Sequence, residues 1–294
     1  MVIRNRAWLR YSAFSFGVIC IGWSAIFVKL ADISGFSSAF YRMFIGTILL
    51  VPIWLFRKKS GINRTTLIYS ALCGFYFAGD LAIWNTSIML SKAAIVTLLA
   101  NMAPVWVGLG TIFILKEKPK SVFWIGTVIA ISGVVLILGI HNVYYAKFNL
   151  GNLLALCASF FYAAYLLTVR NTRDKIDTIS FTAISMITST VVLFIICIIS
   201  GVQMTGFTAK SWLSLLGLGI ITQLGGWIAL NWTLKYIKAT VASVSLLSQS
   251  VITAIIAVPV LNEFLNKFEI LGIFVVLLGI FMVNRMKPSP SPKD

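Results

Sequence analysis

The sequence is poor in charge and poorest in acid. Only 11% of its 294 residues are charged, and just eight are Asp or Glu. A soluble domain carries about 25% charged residues. There is one histidine, His141, and the four cysteines form no CxxC pair, so no metal-ligand cluster can be read. Cys20, Cys73, Cys157 and Cys197 all sit in apolar stretches, where a thiol serves as a small buried hydrophobe. No Walker-type glycine loop is present, so nothing points to ATP hydrolysis. No nucleophile–base pairing can be read, and a membrane enzyme would offer several ionisable groups near one interface. The sequence therefore gives no reason to expect an enzyme or a cofactor.

What fills the chain instead is apolar surface. Hydrophobic residues make up 59% and the mean hydropathy is +0.96. A membrane span takes ~20 apolar residues, and the chain divides into ten such segments: 12–30, 37–56, 66–90, 93–115, 121–140, 150–169, 178–200, 211–234, 240–261 and 268–283. The expected fold is an all-α integral membrane protein with ten transmembrane helices, embedded in the lipid bilayer. The first segment resembles a signal peptide but lacks a small-residue cleavage site, so it reads as a retained signal anchor. Residues 286–294 are Pro/Ser-rich and read as a disordered cytoplasmic tail.

The net charge of +16 suits topology better than nucleic acid. Eighteen of the Lys and Arg residues fall in the leader, the tail and the even-numbered connections, against five on the opposite side. Cytoplasmic loops of membrane proteins are enriched in Lys and Arg. Both termini are therefore expected in the cytoplasm, in a cell inner membrane, with no nucleic-acid partner.

A shift of 146 residues aligns the two halves. Gly79 meets Gly225, Asn85 meets Asn231, and Glu117 meets Glu263; Gly126 and Gly133 meet Gly272 and Gly279. Five segments lie in each half, and an odd number inverts the second copy. The expected division is a first five-helix repeat over 1–145 and a second, inverted one over 146–285. Inverted repeats enclose substrate sites near the bilayer midplane in many secondary transporters.

Asp80 is the acid that falls near the middle of a span. A charge there costs about 2.5–3.5 kcal/mol on insertion scales and by default marks a pathway or a binding group. It suits proton coupling or a cationic ligand. The alternative is a structural ion pair with Arg42, the basic residue within segment two. Trp84 shares the face of Asp80 one turn on. Gln223, Trp227 and Asn231 step by four in segment eight as a polar-aromatic stripe too polar for lipid. Asn101 and Pro104 interrupt segment four, and Ser248-Gln249-Ser250 occupies the matching part of segment nine. Broken, polar points in corresponding helices are pointers to a site. Trp23 in segment one and Tyr162 and Tyr165 in segment six are candidate aromatic walls. Glu117 and Glu263, beside Lys116, Lys118 and Lys267, read as interfacial anchors.

These features resemble the drug/metabolite transporter superfamily, of the EamA type, over about residues 12–285. The resemblance rests on Gly22-Trp23-Ser24, Tyr41-Arg42, the stretch from Ala94 through Pro104 to Glu117, Gly126 and Gly133, Gly151-Asn152-Leu153-Leu154-Ala155, and Glu263 with Gly272 and Gly279. Ser250 departs from the pattern, because the family's second repeat often has proline there. The resemblance implies a ten-helix basket around a central cavity, with segments five and ten peripheral, and carriage of small polar metabolites without ATP.

The reading that follows is a secondary transporter of small metabolites, foremost an amino-acid or amino-acid-like exporter, working by alternating access as a monomer or homodimer. Asp80 would couple protons or hold an ammonium group. Trp23, Trp84, Tyr162 and Trp227 would form walls, and Asn101, Gln223, Asn231 and Gln249 would supply hydrogen bonds. The rivals are an uptake carrier for a cationic metabolite such as S-adenosylmethionine, and a sensor or scaffold that transports nothing.

Overall fold

The computed structural model describes residues 2–58, 60–91, 93–139, 149–261 and 265–285. His141, Glu263 and the tail 286–294, all used above, lie outside the described residues, as do Lys92 and Lys147, two of the five lysines counted on the opposite side. Every regular element among those described is helical, and ten helices are long and apolar enough to cross a membrane. They are α1 (Val2–Ala31), α2 (Gly35–Phe56), α3 (Arg64–Leu90), α4 (Ala93–Ala100 and Ala103–Phe113), α5 (Ser121–Leu138), α6 (Leu150–Thr172), α7 (Thr178–Ser200), α8 (Ala209–Gly217, Leu218–Trp227 and Ile228–Thr233), α9 (Ala239–Ser245 and Ser248–Leu261) and α10 (Lys267–Asn284).

Lipid offers the backbone no partners, so each span must satisfy its own. The exposed helix starts are closed by side chains: Asn63 accepts from the Thr66 N–H, Asn149 from Asn152, Asp177 from Ser180 and Thr208 from Ser211. Each such cap contributes about 1 kcal/mol. Asn266 and Glu269 form a reciprocal capping box at the start of α10.

Small residues set the packing. α5 and α10 lie against each other so closely that a Cβ on Gly133 would stand 2.8 Å from the Gly272 carbonyl, and one on Gly126 would stand 2.9 Å from that of Gly279. The seam is reciprocal and antiparallel. Membrane helices associate through such small-residue faces because apolar burial gives no net attraction in lipid.

Three spans are not continuous α-helices. In α4 the turn at Asn101 and Met102 is bridged by i→i+3 bonds, Met102 N–H to Leu99 at 3.1 Å and Val105 N–H to Met102 at 2.9 Å, and Pro104 sits at the start of the second piece. α9, where Ser250 stands in place of the family's proline, also breaks, at Leu246 and Leu247, almost level with α4 under the 146-residue shift. The Ser248 hydroxyl takes the Ser245 carbonyl at 2.5 Å, a back-bond that bends helices. In α8 the run Leu218–Trp227 is π-helical, with i→i+5 bonds that put more residues into each turn.

The connection after α6 differs from a free basic loop. Arg173 is fully buried; its Nε donates to the Asn231 carbonyl at 2.8 Å and its Nη2 to the Thr178 hydroxyl at 2.6 Å. Its guanidinium also lies 5.0 Å from the Phe181 ring centre. The neighbouring Arg170 pairs with Glu117 at 2.8 Å, tying the end of α6 to the end of α4.

Candidate functional site

A cavity of about 430 Å³ opens among α1, α2, α3, α4, α6, α8 and α9, with contributions from α5 and the start of α10. Its lining holds Asp80, Arg42, Tyr162 and Trp227, with Trp84, Asn101, Gln249 and Ser250, and, from the end of α5 and the start of α10, an outer group of Ile137, Leu138, Leu265 and Glu269. The outer residues lie at the end of the bundle opposite the two termini, since an even number of spans leaves both termini at one end.

The floor is aromatic. Trp227 is 4.6 Å from Phe77 and 5.4 Å from Tyr165 between ring centres, and Tyr162 stands 6.2 Å from Trp227. Beneath it the bundle is closed by hydrogen bonds. The Tyr165 hydroxyl donates to Asn231 Oδ1 at 2.7 Å, the Asn231 amide donates to the Thr182 hydroxyl at 3.2 Å, and Arg173 holds the Asn231 carbonyl.

The charges stand at different depths of commitment. Arg42, 7% exposed, is held by two neighbours: its Nε donates to Gln223 Oε1 and its Nη1 to the Ser24 hydroxyl, each at 3.0 Å. Asp80 carries no hydrogen bond and no ion pair among the described residues. The expected alternative of a direct Arg42–Asp80 ion pair is therefore not what the side chains make. The two groups interact electrostatically across the cavity without touching. Tyr162, Trp84 and Gln249 likewise carry no side-chain hydrogen bond among the described residues. The buried indole N–H of Trp227 is also unpartnered among them.

Of the residues singled out in the sequence, Asp80, Trp84, Asn101, Tyr162, Trp227, Gln249 and Arg42 line this one cavity. Trp23, Gln223 and Asn231 do not. Trp23 stacks on Phe27 at 5.5 Å between ring centres, and its neighbour Ser24 takes the inward place, because successive helical residues point about 100° apart. Gln223 and Asn231 depart from a common stripe because the π-helical run breaks the four-residue register: Gln223 serves Arg42, and Asn231 serves the closed layer below. Asn85 leaves the face of Asp80 and donates to the Gly35 carbonyl at 2.9 Å. Ser24, named in the sequence beside Trp23, joins the lining, as do Phe77 and Glu269, which were not singled out for it. For Glu269 the signal was the Asn266–Glu269 spacing before an apolar run, which locates a helix start but says nothing of a cavity.

The position matching Asp80 in the second half, Gly226, lies against α1. A Cβ there would stand 2.9 Å from Ile21 and 3.3 Å from the Gly17 carbonyl. A side chain there would have to displace Ile21 and Cys20, whereas Asp80 on α3 faces the cavity.

Ten helices long and apolar enough to cross a membrane, gathered around a largely apolar cavity that holds an Asp and an Arg, suit a multi-pass membrane transporter of small molecules. The chain belongs to the EamA-like transporter family, whose profile matches residues 9–139 and again 149–285. An uncharacterised transporter of Clostridium kluyveri is 24% identical over 283 residues, 90% of this chain and 91% of its own length. The S-adenosylmethionine uptake transporter of Rickettsia prowazekii is 24% identical over 266 residues, 88% of this chain and 86% of its own. A solved crystal structure at 16% identity superposes with a TM-score of 0.75 over 92% of this chain and 97% of its own, a likeness of fold.

Proposed function

We propose that the chain is a secondary transporter of amino-acid-like zwitterions across the cytoplasmic membrane, with export as its working direction and both termini in the cytoplasm. One observation carries the reading: an unpaired carboxylate, Asp80, and a guanidinium, Arg42, face the same cavity. A ligand with an ammonium and a carboxylate complements that pair. Arg42 spends Nε and one Nη1 donor on Gln223 and Ser24; the remaining N–H groups are free for a carboxylate, which the planar guanidinium fork suits. The rings of Tyr162, Trp84 and Trp227 favour a cation or an apolar side chain. Pockets of about 300–1,000 Å³ hold small ligands, and this cavity falls within that range.

Alternating access would close the outer end and open the layer beneath Trp227, with the two five-helix halves, 1–145 and 146–285, rocking as inverted repeats about the α5–α10 seam. Asp80 would release its cargo by exchanging it for a proton. Reconstituted protein loaded with labelled amino acids tests the reading by counterflow at several pH values. Asp80→Asn is expected to abolish flux, or its dependence on the proton gradient, while folded protein is retained. Unchanged flux and unchanged pH dependence would sink the role of Asp80.

A second reading is uptake of a cationic metabolite such as S-adenosylmethionine. It is favoured by the names of the Rickettsia prowazekii and Rickettsia bellii relatives, each 24% identical. The same vesicles with labelled S-adenosylmethionine outside distinguish the two.

A further inference from the structure

The cavity carries three formal charges, and the third has no place in the reading so far. Glu269 lies in the first turn of α10, beside Leu265 of the same segment and facing the end of α5 at Ile137 and Leu138. Apart from Glu269, these outer lining residues are apolar. A lone charge among low-dielectric walls has a longer reach than one in open water, and it raises the local concentration of oppositely charged solutes. One carboxylate oxygen, Oε2, accepts the Asn266 N–H at 2.8 Å. The other has no partner among the described residues. Lys267 lies two residues away but is exposed and does not line the cavity.

We propose that Glu269 is a specificity-determining residue at the mouth, favouring cargo with net positive charge and disfavouring anionic cargo. The proposal rests on the cavity being the transport path. Glu269 stands in the first turn of α10, at the end of the bundle opposite the termini, whereas Arg42 and Asp80 lie further inside α2 and α3, so a solute entering from that end would pass Glu269 before the pair. Two carboxylates and one guanidinium are complemented by a ligand with one carboxylate and two cationic groups. The substrate class is therefore an amino acid whose side chain carries a further positive charge, such as a basic side chain.

Glu269→Gln is the informative variant, because glutamine at this position also completes a capping box. Fold and cap stay while the charge goes. In reconstituted vesicles the KM for lysine is expected to rise about threefold relative to that for leucine, the scale of one water-screened charge a few ångströms away. High salt should erase that difference, because screening shortens the reach of the carboxylate. An equal change for both substrates, or none, overturns the proposal.

A second arm needs no substrate. Ala254→Cys places a thiol in the same cavity, in a Cys157→Ser background that removes the exposed native thiol. The rates of labelling by a cationic and an anionic methanethiosulfonate reagent are compared. Glu269→Gln should lower the cationic-to-anionic ratio roughly three- to tenfold at low ionic strength. An unchanged ratio overturns the proposal, as does failure of both reagents to reach the thiol. If the vesicles carry no amino acid yet the ratio falls, the amino-acid reading fails and the role of Glu269 stands.

Discussion

Asn101 of α4 donates to the hydroxyl of Ser250 of α9 at 3.3 Å, joining the two broken helices beside their breaks. The contact couples the two places where the backbone is softest, and both residues line the cavity. Hydrogen bonds between membrane helices contribute about 0.6 kcal/mol on average and up to about 1.7. Asn101→Ala and Ser250→Ala are each expected to cost that much. In a double-mutant cycle on unfolding in detergent, the pair should show a coupling of about 0.6 kcal/mol. Strictly additive losses would mean that the two breaks are energetically independent.

The α5–α10 seam predicts a steric result. Gly133→Val or Gly279→Val puts a side chain where even a Cβ would stand 2.5 and 2.6 Å from the backbone nitrogens of Val276 and Ala130. Overpacking costs typically 1–3 kcal/mol. The thermal midpoint in detergent should fall by several degrees. The same change at Gly201, with nothing within 4 Å of its Cβ, meets no such neighbour and suffers only the strain of its left-handed backbone.

Arg173 yields the largest expected loss away from the cavity. Arg173→Ala removes the donors to the Asn231 carbonyl, the Thr178 hydroxyl and the Ile176 carbonyl. A buried polar group left without its partner costs about 1–3 kcal/mol. The layer that closes the bundle beneath the cavity should loosen. Cysteine labelling from the terminal side, at a position on the lining such as Ser243→Cys, should accelerate; unchanged labelling would place the closure elsewhere.

Asp177 gives the pH prediction. Burial pushes its carboxyl up, but hydrogen bonds from the Ser180 hydroxyl and N–H and from the Ser60 and Ile179 N–H groups outweigh it, and the net shift is downward. A depressed folded value means that stability is present above the unfolded value, about 3.9, and is lost as pH falls through the folded one. Asp177→Asn keeps a good cap without the charge. The stability advantage of the native chain over this variant should be constant near neutrality and shrink below about pH 4. A difference that grows on acidification would reverse the sign.

The ten spans were legible because ~20 apolar residues in lipid have essentially one solution. Asp80 was legible because one charge in such a run is conspicuous. Gly126, Gly133, Gly272 and Gly279 were legible as a repeated pattern, though only the packing shows that they meet crosswise. Less could be read where the local helix was irregular. A step of four residues from Gln223 to Asn231 means one face only on an α-helix, and the π-helical run removes that premise. Arg173 reads in sequence as one more loop cation, because nothing in Arg170-Asn171-Thr172-Arg173-Asp174-Lys175 distinguishes the one that tucks inward. Glu269 depends on how the start of α10 leans over the cavity, a tertiary fact with no local sign.

In the proposed carrier, glycine at 226 would leave the cargo off-centre. On the proposed reading a bound ammonium group would lean on α3, while the matching place on α8 lies against Ile21, Cys20 and Gly17 of α1. The inward and outward strokes of such a carrier are then unequal: one carries the ligand's electrostatic anchor with the moving wall, and the other slides past it. Unequal strokes would set how fast each half-cycle runs, while the gradients across the membrane alone set the net direction. A crowded glycine in the second half would then shape the tempo of the proposed cycle and not its sense.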